Sequence, residues 1–266
     1  VITMTFAFHI DGIGFGYAGN LLIENLSACF NQGKFIAIVG PNGCGKTTLV
    51  NLLAGALRPK WGRIFFKGNP LADYRKRTLA REIALMPQDF NVNFPFSVRE
   101  VVMMGRYPHI PRFSQPSSLD HARVDDALAA TDTTTFADRL VTELSGGERQ
   151  RVVAARALAQ DTPYLILDEA TSNLDIRHAI ALLEKIREGI EKKGRTVIAV
   201  FQDLNLAVRF CDDLLMMKNG RIEAFGTAGE VLTPENLERV FDVGAKVRFE
   251  PFAGAGQVTF AAKAEG

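Results

Sequence analysis

The stretch "FIAIVGPNGCGKTTLVNLLAG", Phe35 to Gly55, constrains what this chain can fold into more than any other. Phe35 to Val39 is an apolar run of strand length, and Leu49, Leu52, Leu53, Ala56 and Leu57 fall at i, i+3, i+4, i+7 and i+8, one face of a helix. Between them Gly40, Gly43 and Gly45 let backbone N–H groups converge on an anion. The following helix points its positive end at the same place, and Lys46 adds a full charge. The order strand, glycine turn, lysine, helix is therefore a phosphate cradle built from Gly40, Pro41, Asn42, Gly43, Cys44, Gly45, Lys46, Thr47 and Thr48, and it matches GxxxxGKT in full. On this reading Thr47 offers its hydroxyl to Mg²⁺. A glycine turn with a stray lysine would explain neither the complete match nor its flanks.

A chain of 266 residues buries one substantial core and at most a subdomain. Its 47% hydrophobic and 23% charged residues exclude global disorder. A formal charge of +1 argues against a nucleic-acid binder acting through bulk electrostatics, so partners are sought in local motifs. Cys29, Cys44 and Cys211 are too few and too scattered for a disulfide framework or a zinc site, and are expected as free thiols in a reducing compartment. No apolar run reaches the roughly 18 residues of a spanning helix, and no lysine or arginine precedes Lys34 to begin a signal peptide. The chain is expected to be cytosolic. Val1 to Thr3, ahead of Met4, are set aside.

Apolar strands alternate with helical patterns in the first and last thirds, which predicts α/β units with a largely parallel sheet. The strands are expected at Phe35 to Val39, Ile83 to Met86, Tyr164 to Leu167, Thr196 to Phe201 and Asp213 to Met217. From Ser97 to Gln160 the sequence is helical, interrupted by the proline-rich loop "GRYPHIPRFSQPSS". "SSLD", Ser117 to Asp120, reads as a helix start. Beyond Gly226, "TPENLERVF" predicts a short helix, "AKVRFEPF" a strand, and the Gly/Ala-rich tail is expected to fray.

"YLILDEA", Tyr164 to Ala170, is an apolar strand ending in two carboxylates, an arrangement that holds acids at the carboxyl edge of a parallel sheet beside bound phosphates. Asp168 suits Mg²⁺, and Glu169, one residue on, suits polarising a water for attack on a γ-phosphate. Alone, such a pair would read as a helix cap or a salt bridge; the cradle gives it chemistry. "LSGGERQR", Leu144 to Arg151, places two glycines at the start of a helix that continues through "VVAARALA", a second phosphate-facing helix end.

Gly40 to Thr47, Gln88, "LSGGERQR", "LILDE" and "SNLD", in this order, resemble the ATPase subunit of ATP-binding-cassette transporters over nearly the whole chain. The resemblance implies one such ATPase domain over residues 1–266, an α/β P-loop NTPase core (1–88 and 161–226) with a mostly parallel sheet and an antiparallel β portion. A helical subdomain carrying the signature (89–160) is inserted in it, and a small appendix (227–266) follows. It implies MgATP hydrolysis by a homodimer, with each ATP between the cradle of one copy and the signature of the other. Ser145, Gly146 and Gly147 would then meet the γ-phosphate held by the partner, and Asp175 would lie at the dimer seam. Gln88 resembles the glutamine that touches Mg²⁺ and reports to the membrane subunit, and Tyr17 in "GFGYAG" the aromatic that stacks on adenine, simple packing being the alternative.

Two positions depart from the family pattern. In "VIAVFQDLNLA", Gln202 stands where the family usually carries a histidine, and His9, His109, His121 and His178 occupy no comparable place. An amide donates a neutral hydrogen bond but cannot become cationic, so turnover is expected to slow while ATP binding and dimer closure persist. Cys44 stands where many cassettes have serine. Beside a helix N-terminus and Lys46 its thiol is expected to be acidified and alkylated unless ATP protects it, with space-filling as the other reading.

The run "DFNVNFPFSVREVVMMGRYPHIPRF" reads in part as the helical subdomain's core and in part as an apolar groove for a short helix of a membrane subunit. Together with "VFDVGAKV" and the "GPNGCGKTTL" form of the cradle, "VVMMGRYPH" resembles the importers of iron siderophores, haem and cobalamin. That implies two permease subunits, a substrate-binding protein, a peripheral place on the cytoplasmic face of the plasma membrane, and no nucleic-acid partner. The basic stretch Tyr74 to Arg81 reads as a solvated face, with anionic lipid as its alternative. Rival readings are an ATP-gated clamp that scarcely hydrolyses and a cassette ATPase outside transport, which would need a long coiled coil or paired cassettes.

Overall fold

A computed structural model describes residues 6–17, 19–88, 90 and 94–262. The expectations on Val1 to Thr3, on residues 89 and 91–93 of the aromatic run, and on the last four residues of the tail lie outside the described residues. The chain divides into two compact units, one within residues 1–73 and 196–266, the other Tyr74–Arg195.

In the first unit, β3 (Phe35–Val39) lies between β8 (Thr196–Val200) and β9 (Asp213–Lys218), parallel to both, and β10 (Arg221–Thr227) adds antiparallel to β9. All five residues of β3 and all five of β8 are buried, which is why both read as unbroken apolar runs rather than as alternation. α1 (Lys46–Leu53) follows β3 directly and stops a turn short of the predicted Leu57, at Gly55 with φ +69°. An antiparallel sheet in the order β2-β1-β4-β5 joins β1 (Phe6–Tyr17), β2 (Asn20–Asn31), β4 (Trp61–Phe66) and β5 (Asn69–Pro70). β1 is bulged, and the Trp61 indole lies so close over Gly14 that a Cβ there would sit 1.9 Å from it. α7 (Leu204–Phe210), α8 (Ala228–Val231) and α9 (Pro234–Phe241) complete the unit with the hairpin of β11 (Gly244–Glu250) and β12 (Ala255–Ala261). The expected fraying of the tail is thus corrected for residues 255–261, whose backbone is paired across β11 and whose Val258 is buried.

The second unit pairs β6 (Ile83–Met86) with β7 (Tyr164–Asp168) in parallel and adds α2 (Lys76–Glu82), α3 (Val98–Met103), α4 (Ser118–Ala130), α5 (Gly146–Ala159) and α6 (Ile176–Lys193). Ser97, Ser117 and Ser145 open α3, α4 and α5 with reciprocal capping boxes to Glu100, Asp120 and Glu148, as "SSLD" predicts for α4. Val98, Val101, Val102, Val124, Leu128 and Val152 form the helical core, with Met103, Met104 and Phe90 packed on its margin. The aromatic run therefore splits: Val98, Val101 and Val102 are core, whereas Phe94, Phe96, Tyr107 and Phe113 are exposed. Behind it Arg106, buried, pairs with the equally buried Asp120 at 3.0 Å and donates to the carbonyl of Ala159 at 2.7 Å. Among the described residues no helix is long and apolar enough to cross a membrane.

Candidate active site

Two constellations carry the chemistry, one in each unit. The first is the turn from β3 to α1. Gly40, Gly43 and Gly45 have φ of +154°, +78° and +103°, conformations that side-chain-bearing residues rarely adopt. A Cβ on Gly40 would stand 2.2 Å from the carbonyl oxygen of Met217, so the first glycine is fixed by packing as well as by φ. α1 begins at Gly45 with no side-chain cap, so its leading N–H groups are left to the loop, in contrast to the serine-capped α3, α4 and α5. Lys46 is buried, and its Nζ donates to the carbonyls of Gly40 at 2.8 Å and Pro41 at 3.0 Å, which curls the chain around the ammonium. Thr47 and Asn42 are exposed at the turn, while Thr48 is buried. Such a cradle, closed to side chains at Gly40 and lined by donors, fits a phosphate.

Gln202 is exposed two residues beyond β8, ahead of α7, whose cap is Asp203. Since Ile36 pairs with Ile198 and Ile38 with Val200, and Phe201 donates to the Ile38 carbonyl at 3.0 Å, Gly40 and Gln202 leave neighbouring parallel strands at one carboxyl edge. Tyr17 ends β1 with 56% of its surface exposed, its ring edge-to-face with Phe15. Cys44 corrects an expectation. It is 4% exposed, and burial, outweighing the Lys46 charge and the local N–H donors, pushes its thiol above the usual range. The residue packs as a small apolar side chain, its sulfur among the atoms nearest a Cβ at Gly40.

The second constellation lies at the carboxyl ends of β6 and β7. Asp168 is 1% exposed and Glu169 7%, and Glu169 takes φ +54°, the left-handed region, despite its side chain. Gln88, just past β6, donates from Nε2 to Glu169 Oε2 at 3.0 Å. The carbonyl of Glu169 accepts from Ser172 N at 3.2 Å, Ser172 Oγ at 3.0 Å and Gln150 Nε2 at 3.3 Å. Neither Ser172 nor Gln150 is singled out by the sequence, although Gln150 sits inside "LSGGERQR" and an amide within a helix that buries its flanking valines was a signal.

Ser145 caps α5, donating from Oγ to Glu148 Oε2 at 2.7 Å, and Gly146 and Gly147 form the first helical positions. The Ser145 N–H and hydroxyl hold the Glu148 carboxyl below its ordinary range. Asp175 caps α6, accepting from His178 N at 2.9 Å and meeting the His178 ring at 2.8 Å, contacts that likewise lower its carboxyl. Asp175 approaches the signature by sequence neighbourhood: a Cβ on Gly147 would be 3.2 Å from the Asn173 carbonyl. No cluster of three or more His, Cys, Asp or Glu residues that could hold a metal occurs among the described residues. Thr47, Gln88 and Asp168 are hard oxygen donors of the kind Mg²⁺ takes singly, completing its shell with water and phosphate.

The profile of the ABC transporter family matches residues 23–172. The chain is 42% identical over 250 residues to the cobalamin import ATP-binding protein of Halobacterium salinarum, covering 94% of this chain and 62% of that one. It is 40% identical over 239 residues to the ferric enterobactin transport ATP-binding protein of Escherichia coli, covering 90% and 88%. Thus the chain spans about three fifths of the archaeal relative and most of the bacterial one. Among solved structures it is similar to an inward-facing transporter described as of metal-chelate type, with 31% identity, a TM-score of 0.81 and 97% of each chain covered.

Proposed function

This chain belongs to the ABC transporter family, and from that premise we propose that it hydrolyses MgATP as a homodimer to drive import of a metal chelate through two membrane permease subunits. The observation that carries the reading is Glu169: a carboxylate 7% exposed at the end of a buried strand, held by the Gln88 amide. There it can take a proton from a water attacking the γ-phosphate, a contribution on the order of 10² to 10⁴ in rate. Lys46 and the cradle N–H groups bind the phosphates, and Tyr17 offers a flat face to adenine. Mg²⁺, when bound, offsets phosphate charge, and Thr47, Asp168 and Gln88 are the residues that would hold it or its waters. Ser145, Gly146 and Gly147 present a helix N-terminus to the nucleotide of the partner copy, with Asp175 at the seam.

Cargo class follows from the relatives, whose names specify cobalamin and ferric enterobactin. Exposed Phe94 and Phe96, which follow Gln88 in sequence, and exposed Tyr107 supply apolar area for a permease helix, which would seat the chain peripherally on the cytoplasmic face of the membrane, indirectly served by a substrate-binding protein. A second reading, an ATP-gated clamp with little hydrolysis, is favoured by Gln202 alone. Phosphate release from MgATP by the purified chain separates the two: the transport reading expects steady turnover that Glu169→Gln lowers at least a hundred-fold, whereas turnover no faster than that variant's would leave the clamp.

A further inference from the structure

Helix α5 touches the catalytic acid from behind. Gln150, on its second turn, is 6% exposed, and its Nε2 points at two backbone carbonyls, that of Glu169 at 3.3 Å and that of Ala170 at 3.4 Å. Those are the carbonyl of Glu169 itself, the residue held at φ +54°, and that of the residue after it. A residue in that region persists only where its surroundings over-determine it, because the conformation costs of order 1–3 kcal/mol. Ser172 supplies two of the restraints, N–H and Oγ, but both come from the same local turn and move with it. Gln150 supplies one from another element, 19 residues away in sequence.

The same helix also touches a residue close in sequence to Gln88. Arg156, at the far end of α5, lays its guanidinium 3.8 Å from the centre of the Phe90 ring, two residues beyond Gln88. Ser145 caps α5, so the LSGG stretch, Glu169 and Phe90 all meet one helix.

Resting on the proposed ATPase reading, we infer that Gln150 is a positioning residue: its amide clamps the left-handed Glu169 backbone to the signature helix and so aims the carboxylate at the attacking water. A side chain packed only for volume would be replaceable by any apolar residue of equal length. An amide that holds the acid is not. The loss would fall on turnover rather than on nucleotide affinity, because misaim of a catalytic group by a fraction of an ångström costs rate while the phosphate cradle is untouched.

The test uses the full chain, MgATP and phosphate release. Gln150→Met keeps length and removes the donor; it is expected to lower kcat about ten-fold with KM for MgATP within about two-fold. In a Glu169→Asp background, where the carboxylate is already withdrawn, the same change is expected to cost less than about three-fold, a non-additivity that a purely structural role would not produce. Gln150→Asn, which keeps the amide but shortens its reach, gives the same reading should the methionine variant not fold. An unchanged kcat, or equal losses in both backgrounds, overturns the inference while leaving the ATPase reading intact. A parent chain that releases no phosphate overturns both.

Discussion

The cradle between β3 and α1 and the acid at the end of β7 hold their reactive groups by opposite means. In the cradle almost everything is backbone: three glycines in positive φ, an uncapped helix start, and one lysine whose ammonium is held by two loop carbonyls. Around Glu169 side chains matter more: the Gln88 amide holds the carboxylate, and Gln150 from another element joins Ser172 of the local turn in holding the strained backbone. A backbone-built site is set by local order and tolerates change everywhere except at its glycines and its charge. A side-chain-built site depends on the packing of whole elements, and so it can be detuned without being destroyed.

Lys46→Ala tests that contrast most severely. With no other full positive charge in the loop sequence, hydrolysis is expected to fall on the order of 10³-fold with the melting temperature little changed, as measured by phosphate release and calorimetry. Retained turnover would mean that the backbone alone binds the phosphates. Next in size is a stability effect in the second unit. Asp120→Ala leaves the buried Arg106 unpaired and is expected to cost about 3–5 kcal/mol in denaturant unfolding. The pH dependence has a definite sign. Burial alone would raise the Asp120 carboxyl, but the Ser117 hydroxyl and N–H together with Arg106 outweigh it and hold it at about 2. Because that value lies below the unfolded carboxylate near ~3.9, its stabilisation is complete above the unfolded range and lost as pH falls through about 2. Parent and variant should therefore differ at neutral pH and converge at the acid end.

Smaller effects sharpen the account. Gln202→His restores a group that can hold and move a proton at the edge shared with Gly40, and turnover is expected to rise up to about ten-fold; a rate equal to the parent's would remove Gln202 from the slow step. Cys44, buried and with its thiol raised, is expected to react with iodoacetamide at neutral pH more slowly than Cys29, which is half-buried, with MgATP making little difference. Mass spectrometry of the labelled peptides reads this directly. Rapid labelling blocked by nucleotide would reinstate a reactive thiol in the cradle.

What could be read from sequence follows the same division. β3, α1 and the glycine conformations were legible because each is determined within a few residues, and the serine start of α4 for the same reason. β1 and β2 escaped because glycines and bulges break the two-residue alternation, and β12 because a Gly/Ala-rich segment carries little β signal until β11 pairs with it. Gln88 and Glu169 were each legible as motif residues, but their hydrogen bond was not, since it joins positions 81 apart. The thiol of Cys44 was misjudged because its charge environment is local, and so readable, whereas its burial is a property of the packed unit. Phe94, Phe96 and Val101 read alike in sequence; only packing sorts them into surface and core.

The central claim is that two copies of this chain close on MgATP to complete the reactive centre. Sedimentation of the Glu169→Gln variant tests it most directly. The account predicts monomer without nucleotide, dimer with saturating MgATP, and a return to monomer when Ser145→Arg is added. A variant that stays monomeric with MgATP bound, or a dimer indifferent to Ser145→Arg, would contradict it.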